Sequence, residues 1–175
     1  MNRVLVVYGT KTGCTREIAE RIGARLTADG ATAAVFSAGE APTPEGYDAA
    51  VVGSGIRMSQ WHEPVRNWVA VNAEALRAMP VASYTACLTI VSEPEKGEEM
   101  RSWSKAVEDA AGITVVDSGL FAGWFEPKEF GFLERTVLKG MKAPQGDFRD
   151  FAAVDAWADQ IAPKLGISPV GVPVP

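Results

Sequence analysis

An unbroken apolar run, RVLVVY at residues 3–8, stops at Gly9 and is followed by apolar positions at helical spacing, Ile18, Ile22 and Leu26. The run has no polar alternation, so both faces of the strand it forms must be covered. A strand of this kind followed by an amphipathic helix is the opening of a right-handed βαβ unit. The same alternation then recurs along the chain. The first helix meets a stop at Asp29-Gly30, and residues 31–37 read as a second strand before the loop marked by Pro42, Pro44 and Gly46. Residues 48–56 (DAAVVGSGI) read as a third buried strand, and residues 61–76, carrying Val65, Trp68, Val69 and Leu76, as a helix stopped by Pro80. Residues 81–91 form a fourth strand, residues 98–111 a helix ending at Gly112, residues 113–125 a fifth strand bent at Gly119 or Gly123, and residues 153–165 a closing helix. The expected architecture is α/β: a five-stranded parallel sheet of order 2-1-3-4-5 between two helical layers.

Composition narrows the function. The 175 residues carry 17 Lys+Arg against 22 Asp+Glu, a net charge of −5, which disfavours binding to a phosphate backbone and so argues against nucleic acid. No apolar run approaches the ~18 residues that span a bilayer. The apolar N-terminal stretch reads as a buried strand, not a signal peptide. Two cysteines, Cys14 and Cys87, and one histidine, His62, argue against a disulfide framework and a Cys/His metal centre. The expectation is a cytoplasmic protein with one domain over residues 1–165 and a loose Pro-rich tail, GISPVGVPVP, over residues 166–175.

Sheets of this order bind ligands beyond the carboxyl ends of their strands, at the switch point between the first and third strands. The loop there is Thr10-Lys11-Thr12-Gly13-Cys14-Thr15. Backbone amides at a helix N-terminus lack intrahelical partners and, with the helix dipole, favour an anion. Gly13 permits close backbone approach, and the three threonines donate hydroxyl hydrogen bonds. The spacing is neither that of a nucleoside-triphosphate loop nor that of a dinucleotide fingerprint, and suits a single phosphate monoester. The bland alternative makes Thr15 a simple N-cap, with Glu17 and Glu20 favouring the first turn. Cys14 reads as a small loop residue and Cys87 as an inert core residue.

Residues 4–22, VLVVYGTKTGCTREIAERI, resemble the opening of flavodoxin-type proteins, whose flavin phosphate lies in a Thr/Ser-x-Thr-Gly-x-Thr loop. The stretch from Thr15 to Ala19, VVGSGIRMSQWH at 51–62, Met79-Pro80, Glu93-Pro94-Glu95-Lys96 and Gly146-Asp147-Phe148-Arg149-Asp150 are similar to the menaquinone-dependent protoporphyrinogen oxidase branch of that superfamily. The similarity spans most of residues 3–165. It implies a flavodoxin-like three-layer sandwich that binds FMN, with the phosphate on the loop at residues 10–15. It places the flavin ring against Ser54, Gly55, Ile56 and Arg57 on one side and Thr89, Ile90, Val91 and Ser92 on the other.

Small residues at 54 and 55 let a planar ring approach the backbone. Trp61 either covers one ring face or packs against the following helix. Arg57 either offsets negative charge on the reduced flavin or forms a surface ion pair. His62 reads as a solvent-facing residue at a helix start, with proton shuttling beside the ring as the sharper alternative. Electron-carrying flavodoxins often place an aromatic residue and a Gly-Asp pair in the loop after the fourth strand. Val91-Ser92-Glu93-Pro94 departs from that and fits the oxidase branch better.

Residues 126–149 are longer than the ~2–6 residues of a usual connection. Within them Phe130, Leu133, Val137 and Met141 recur at helical spacing. They read as a helix packed on the domain edge or, as the resemblance implies, as a dock for apolar substrate, quinone or membrane surface, with peripheral membrane contact through residues 126–142. Trp124 and Phe125 stand at its entrance, as candidates for the rim. No side chain stands out as a catalytic acid or base, and no metal is expected. The implied function is an FMN-dependent oxidoreductase whose flavin takes electrons from a reduced substrate and passes them to a small-molecule or protein partner such as a quinone. An electron-transfer flavodoxin and a flavodoxin-like module without flavin are the alternatives.

Overall fold

The structure is a computed structural model and describes residues 2–125 and 145–168. In chain order the elements are β1 (Arg3–Gly9), α1 (Cys14–Ala28), β2 (Thr32–Ser37), β3 (Ala49–Arg57), β4 (Gln60–Trp61), α2 (Glu63–Val71), α3 (Ala73–Arg77) and β5 (Val81–Ala86). There follow α4 (Thr89–Ser92), α5 (Gly97–Ala111), β6 (Val115–Phe121), β7 (Trp124–Phe125), β8 (Gly146–Asp147) and a last helix, α6 (Phe151–Ile161). The five long strands are parallel and run β2-β1-β3-β5-β6. Counted among themselves they have the expected order 2-1-3-4-5. β4 is an antiparallel addition to β3, and β7 and β8 make a separate two-stranded ribbon.

Successive side chains of a strand point to opposite faces, and here both faces are buried. Val4 and Val6 of β1 join the cluster formed with α1 and α6, while Leu5 and Val7 join the one formed with α2, α3 and α5. Ala49 and Val51 of β3 divide from Ala50 and Val52 in the same way. Each fully buried Val or Leu contributes about 1.5–3 kcal/mol, so the absence of polar alternation in residues 3–8 is what a central strand requires. α1 buries Ile18, Ile22 and Leu26 on one stripe. Its outer edge is tied to α6 by Arg21, whose Nε donates to Asp155 at 2.6 Å, and one turn on by the Arg25–Asp159 pair. Glycine stops are found where expected, at Gly30 (φ 104) and Gly112 (φ 64).

Three elements depart clearly from the sequence reading, and the closing helix runs over Phe151–Ile161 rather than residues 153–165. The fourth strand ends at Ala86, not at residue 91, because its last pair is Ala86–Phe121 and no strand lies beside it further on. The chain instead satisfies itself locally, with Val91 N–H donating to Leu88 O at 3.0 Å, so residues 89–92 form the short helix α4. The helix expected over residues 61–76 begins only at Glu63, since Trp61 belongs to β4. It breaks at Asn72, whose side chain donates to Trp68 O at 2.8 Å. The fifth strand divides at residues 122–123, beyond which β7 pairs with β8. The helical pattern from Phe130 to Met141 and the tail from residue 169 lie outside the described residues. No helix among the described residues is long and apolar enough to cross a membrane.

Candidate functional site

β1 and β3 are neighbours, with Gly9 opposite Ser54, so the loops that leave their carboxyl ends lie side by side. Beyond Gly9 the chain bends through residues 11–13 into α1. Gly13 is the N-cap residue, in the left-handed region at φ 90, and no side chain caps the helix. A Cβ at Gly13 would meet nothing within 4 Å, so this position faces open space. Thr15 is therefore not the N-cap. It is buried, and its hydroxyl lies 3.1 Å from where a Cβ on Gly55 would stand. Thr10 Oγ1 accepts from Gly13 N–H at 3.0 Å and closes the loop from within. Lys11 is exposed and Thr12 half-exposed.

An uncapped helix start at the left-handed, open Gly13, with the Thr10 and Thr12 side chains in the loop before it, is a donor set of the kind that fits a phosphate monoester. Cys14 is the first residue of α1. Its side chain is 6% exposed, and burial pushes the thiol up to about 11, so at neutral pH it is an uncharged packing group.

The segment from Ser54 to Arg57 lies within the strand, which runs one residue past the expected end at Ile56. It is the end of β3, which reverses through Met58 and Ser59 into β4. Both turn residues have positive φ, 50 and 58, as two-residue hairpin loops of this hand need. Neither is glycine, so each carries about 1–2 kcal/mol of backbone strain. Ser54 is fully buried. Its Oγ donates to Gly55 O at 2.7 Å and accepts from His62 N–H at 2.8 Å, which pins the start of α2 against β3. His62 is half-buried rather than solvent-facing.

Trp61 takes the packing alternative. It is 2% exposed, donates from Nε1 to Thr85 Oγ1 at 2.9 Å, and clusters with Val65, Trp68 and Val69. Its ring is enclosed on the α2/α5 side of the sheet and offers no face to a ligand at the strand ends. A groove of about 490 Å³ between α2 and α5 lies on that side and meets the hairpin at Ser59, Gln60 and Trp61.

The turn that carries Thr89, Ile90, Val91 and Ser92 is brought to the same end of the sheet through Gly123. A Cβ there would lie 3.4 Å from Cys14 Sγ and 3.9 Å from Leu88. Trp124 follows and packs beside the α1/α6 cluster. Its Nε1 is buried with no hydrogen-bond partner among the described residues. The phosphate-type loop, the end of β3, the start of α4 and Trp124 thus converge, whereas Trp61 does not join them.

Two sets of long-range contacts that shape the site carry no local signal in the sequence. Tyr84, fully buried, donates from its hydroxyl to Thr15 O at 3.1 Å and so braces the first turn of α1 from beneath. Arg149 Nη1 donates to Glu17 Oε2 at 2.8 Å, its Nε and Nη2 reach Asp147 Oδ1 and Oδ2 at 2.8 and 2.6 Å, and the guanidinium lies 5.5 Å from the Trp124 ring centre. Paired in this way, the Asp147 carboxyl is held below the usual carboxylate range.

Residues 5–151 match the family described as Flavodoxin domain. Protoporphyrinogen IX dehydrogenase [quinone] of Escherichia coli strain K12 is 34% identical over 96 residues, which cover 54% of this chain and 52% of that protein. The chain therefore spans about half the length of the curated relatives it matches. Oxidised Flavodoxin 2 from Bacillus cereus superposes with TM-score 0.60 at 18% identity, covering 93% of this chain and 99% of that one. Two-electron reduced Megasphaera elsdenii flavodoxin gives TM-score 0.55 at 20% identity, with coverages of 90% and 98%.

Proposed function

We propose, on the premise that the chain belongs to the flavodoxin domain family, that it is an FMN-dependent oxidoreductase taking electrons from a reduced tetrapyrrole and giving them to a quinone. The observation that carries the reading is the loop from Thr10 to Thr15, with an uncapped helix start at an open, left-handed Gly13. The match to the Escherichia coli quinone dehydrogenase supports the substrate class.

When bound, FMN supplies the one- and two-electron redox chemistry. The chain's own residues bind and orient it. The amides of the first turn of α1, with the Thr10 and Thr12 hydroxyls, hold the phosphate. The backbone of Gly55, Ile56 and Arg57 lines one flank of the ring site, and Thr89 to Ser92 the other. The buried Cys14 thiol keeps a proton that a thiolate would have lost, so it adds no negative charge beside the phosphate. Trp124 forms the rim toward the substrate side. The protein acts in the cytoplasm.

Anaerobic mixing tests the proposal. The purified protein should bind one FMN, protoporphyrinogen should bleach the flavin, and a menaquinone analogue should restore its colour. Bleaching by a reductase but not by porphyrinogen would assign an electron carrier. A colourless protein that takes up no FMN would remove the cofactor from the account.

A further inference from the structure

Arg149 is the most heavily engaged cation among the described residues, and no step of the proposed chemistry uses it. Its side chain is 9% exposed, and it donates to one carboxylate through Nη1 and to a second through Nε and Nη2. The guanidinium lies over two aromatic rings, Trp124 at 5.5 Å and Phe151 at 5.1 Å. One side chain thus joins β7, β8, the start of α6 and the first turn of α1. Glu17, the α1 partner, is half-exposed and lies 132 residues away in sequence.

A carboxylate in the first turn of a helix is drawn to the same partial positive charge that attracts an incoming anion. Left unneutralised, Glu17 competes with a phosphate for that charge and repels it. Arg149, Glu17 and Asp147 carry +1 − 1 − 1 = −1 together, and −2 without the arginine. The field of this cluster reaches the helix start: at Cys14, Arg149 favours the thiolate, and Asp147 and Glu17 oppose it. The nearby Arg16 is already paired with Glu20 at 2.9 Å.

We propose that Arg149 is a positioning residue for the phosphate end of the cofactor, holding the Glu17 carboxylate so that the first turn of α1 accepts a dianion. The proposal rests on the FMN reading. Its planar fork and fixed charge suit the task, because it meets two carboxylates and stacks on two rings at once.

The test compares FMN with riboflavin, which lacks the phosphate, by flavin fluorescence titration and thermal unfolding. Arg149→Met should weaken FMN binding by about tenfold, the equivalent of ~1.4 kcal/mol, and leave riboflavin binding unchanged. Glu17→Gln in the Arg149→Met background should restore most of the FMN affinity. The difference between the variants should shrink in 1 M salt, where the screening length falls to ~3 Å. Should Arg149→Met fail to fold, Glu17→Gln alone decides: FMN binding tightens several-fold if the proposal holds, and weaker binding overturns it. Equal loss of FMN and riboflavin, or no restoration by Glu17→Gln, makes Arg149 a structural clamp only. A wild-type protein that binds FMN no more tightly than riboflavin instead removes the phosphate site on which the proposal rests.

Discussion

The ring of Tyr84 occupies the space that a side chain at Gly53 would need. The two residues are opposite each other on β5 and β3, and a Cβ on Gly53 would lie 1.9 Å from ring atoms of Tyr84. The ring continues into an aromatic cluster with Phe121 and Trp157, at centroid distances of 6.1 and 6.2 Å. At its far end the hydroxyl holds Thr15 O. A missing side chain in the middle of the sheet therefore allows the start of α1 to be braced from below.

Gly53→Ala should consequently destabilise the fold by ~3 kcal/mol or more, at or above the upper end of what overpacking typically costs, because two strands and a helix would have to shift. Tyr84→Phe keeps the packing and loses one buried hydrogen bond, a cost of about 1 kcal/mol. Urea unfolding of both variants measures the two effects. A Gly53→Ala protein as stable as wild type would show that the sheet yields more readily than its geometry suggests.

At the anion loop, Thr12→Ala removes a half-exposed hydroxyl and should weaken FMN binding by ~1–3 kcal/mol, the range for hydrogen bonds to charged groups. Riboflavin binding should not change. The measurement is again fluorescence titration, and unchanged FMN affinity would count against placing the phosphate here.

Trp61→Phe tests the enclosed position of the indole. Loss of the Nε1–Thr85 bond should lower stability by about 1–2 kcal/mol and leave Thr85 unsatisfied. The visible spectrum of the bound flavin should not move. A shifted flavin band would place the ring of Trp61 at the cofactor after all.

Cys14 sets a pH dependence. Between pH 9 and about 11 its folded thiol, raised from 9.0 to about 11, holds a proton that the unfolded chain has released. Its contribution is therefore fully present below pH 9 and is lost as pH rises toward 11, at a cost of about 2–3 kcal/mol. The stability difference between wild type and Cys14→Ala should be flat below pH 9 and change above it. Cys14 should also resist alkylation at pH 7.5 in the native protein. Rapid native-state alkylation would contradict its burial.

Much of the fold was legible in the chain because its signals are local. Uninterrupted Val and Leu at residues 3–8, helical spacing from Ile18 to Leu26, and glycines at 30 and 112 report on their own neighbours, and the structure places them as the spacing predicts. The switch point selected the loop from Thr10 to Thr15 for the same reason, since alternation along the chain already implies which strand ends are adjacent. Where the structure differs from the local signals, a distant partner decides. Residues 87–91 have strand composition, but the strand beside them ends at Phe121, so the chain leaves the sheet after Ala86 and turns helical from Thr89 to Ser92.

By itself, then, the sequence determined the order of strands and helices, the burial of both sheet faces and the loop most suited to a phosphate. These follow from periodicity and backbone preference within a few residues. Tertiary structure alone decided that the indole of Trp61 turns inward to Thr85, that Tyr84 crosses Gly53 to reach Thr15, and that Arg149 finds Glu17 across 132 positions. Those contacts depend on strand register and helix docking, which are set by the whole core at once and leave no mark at any single position in the chain.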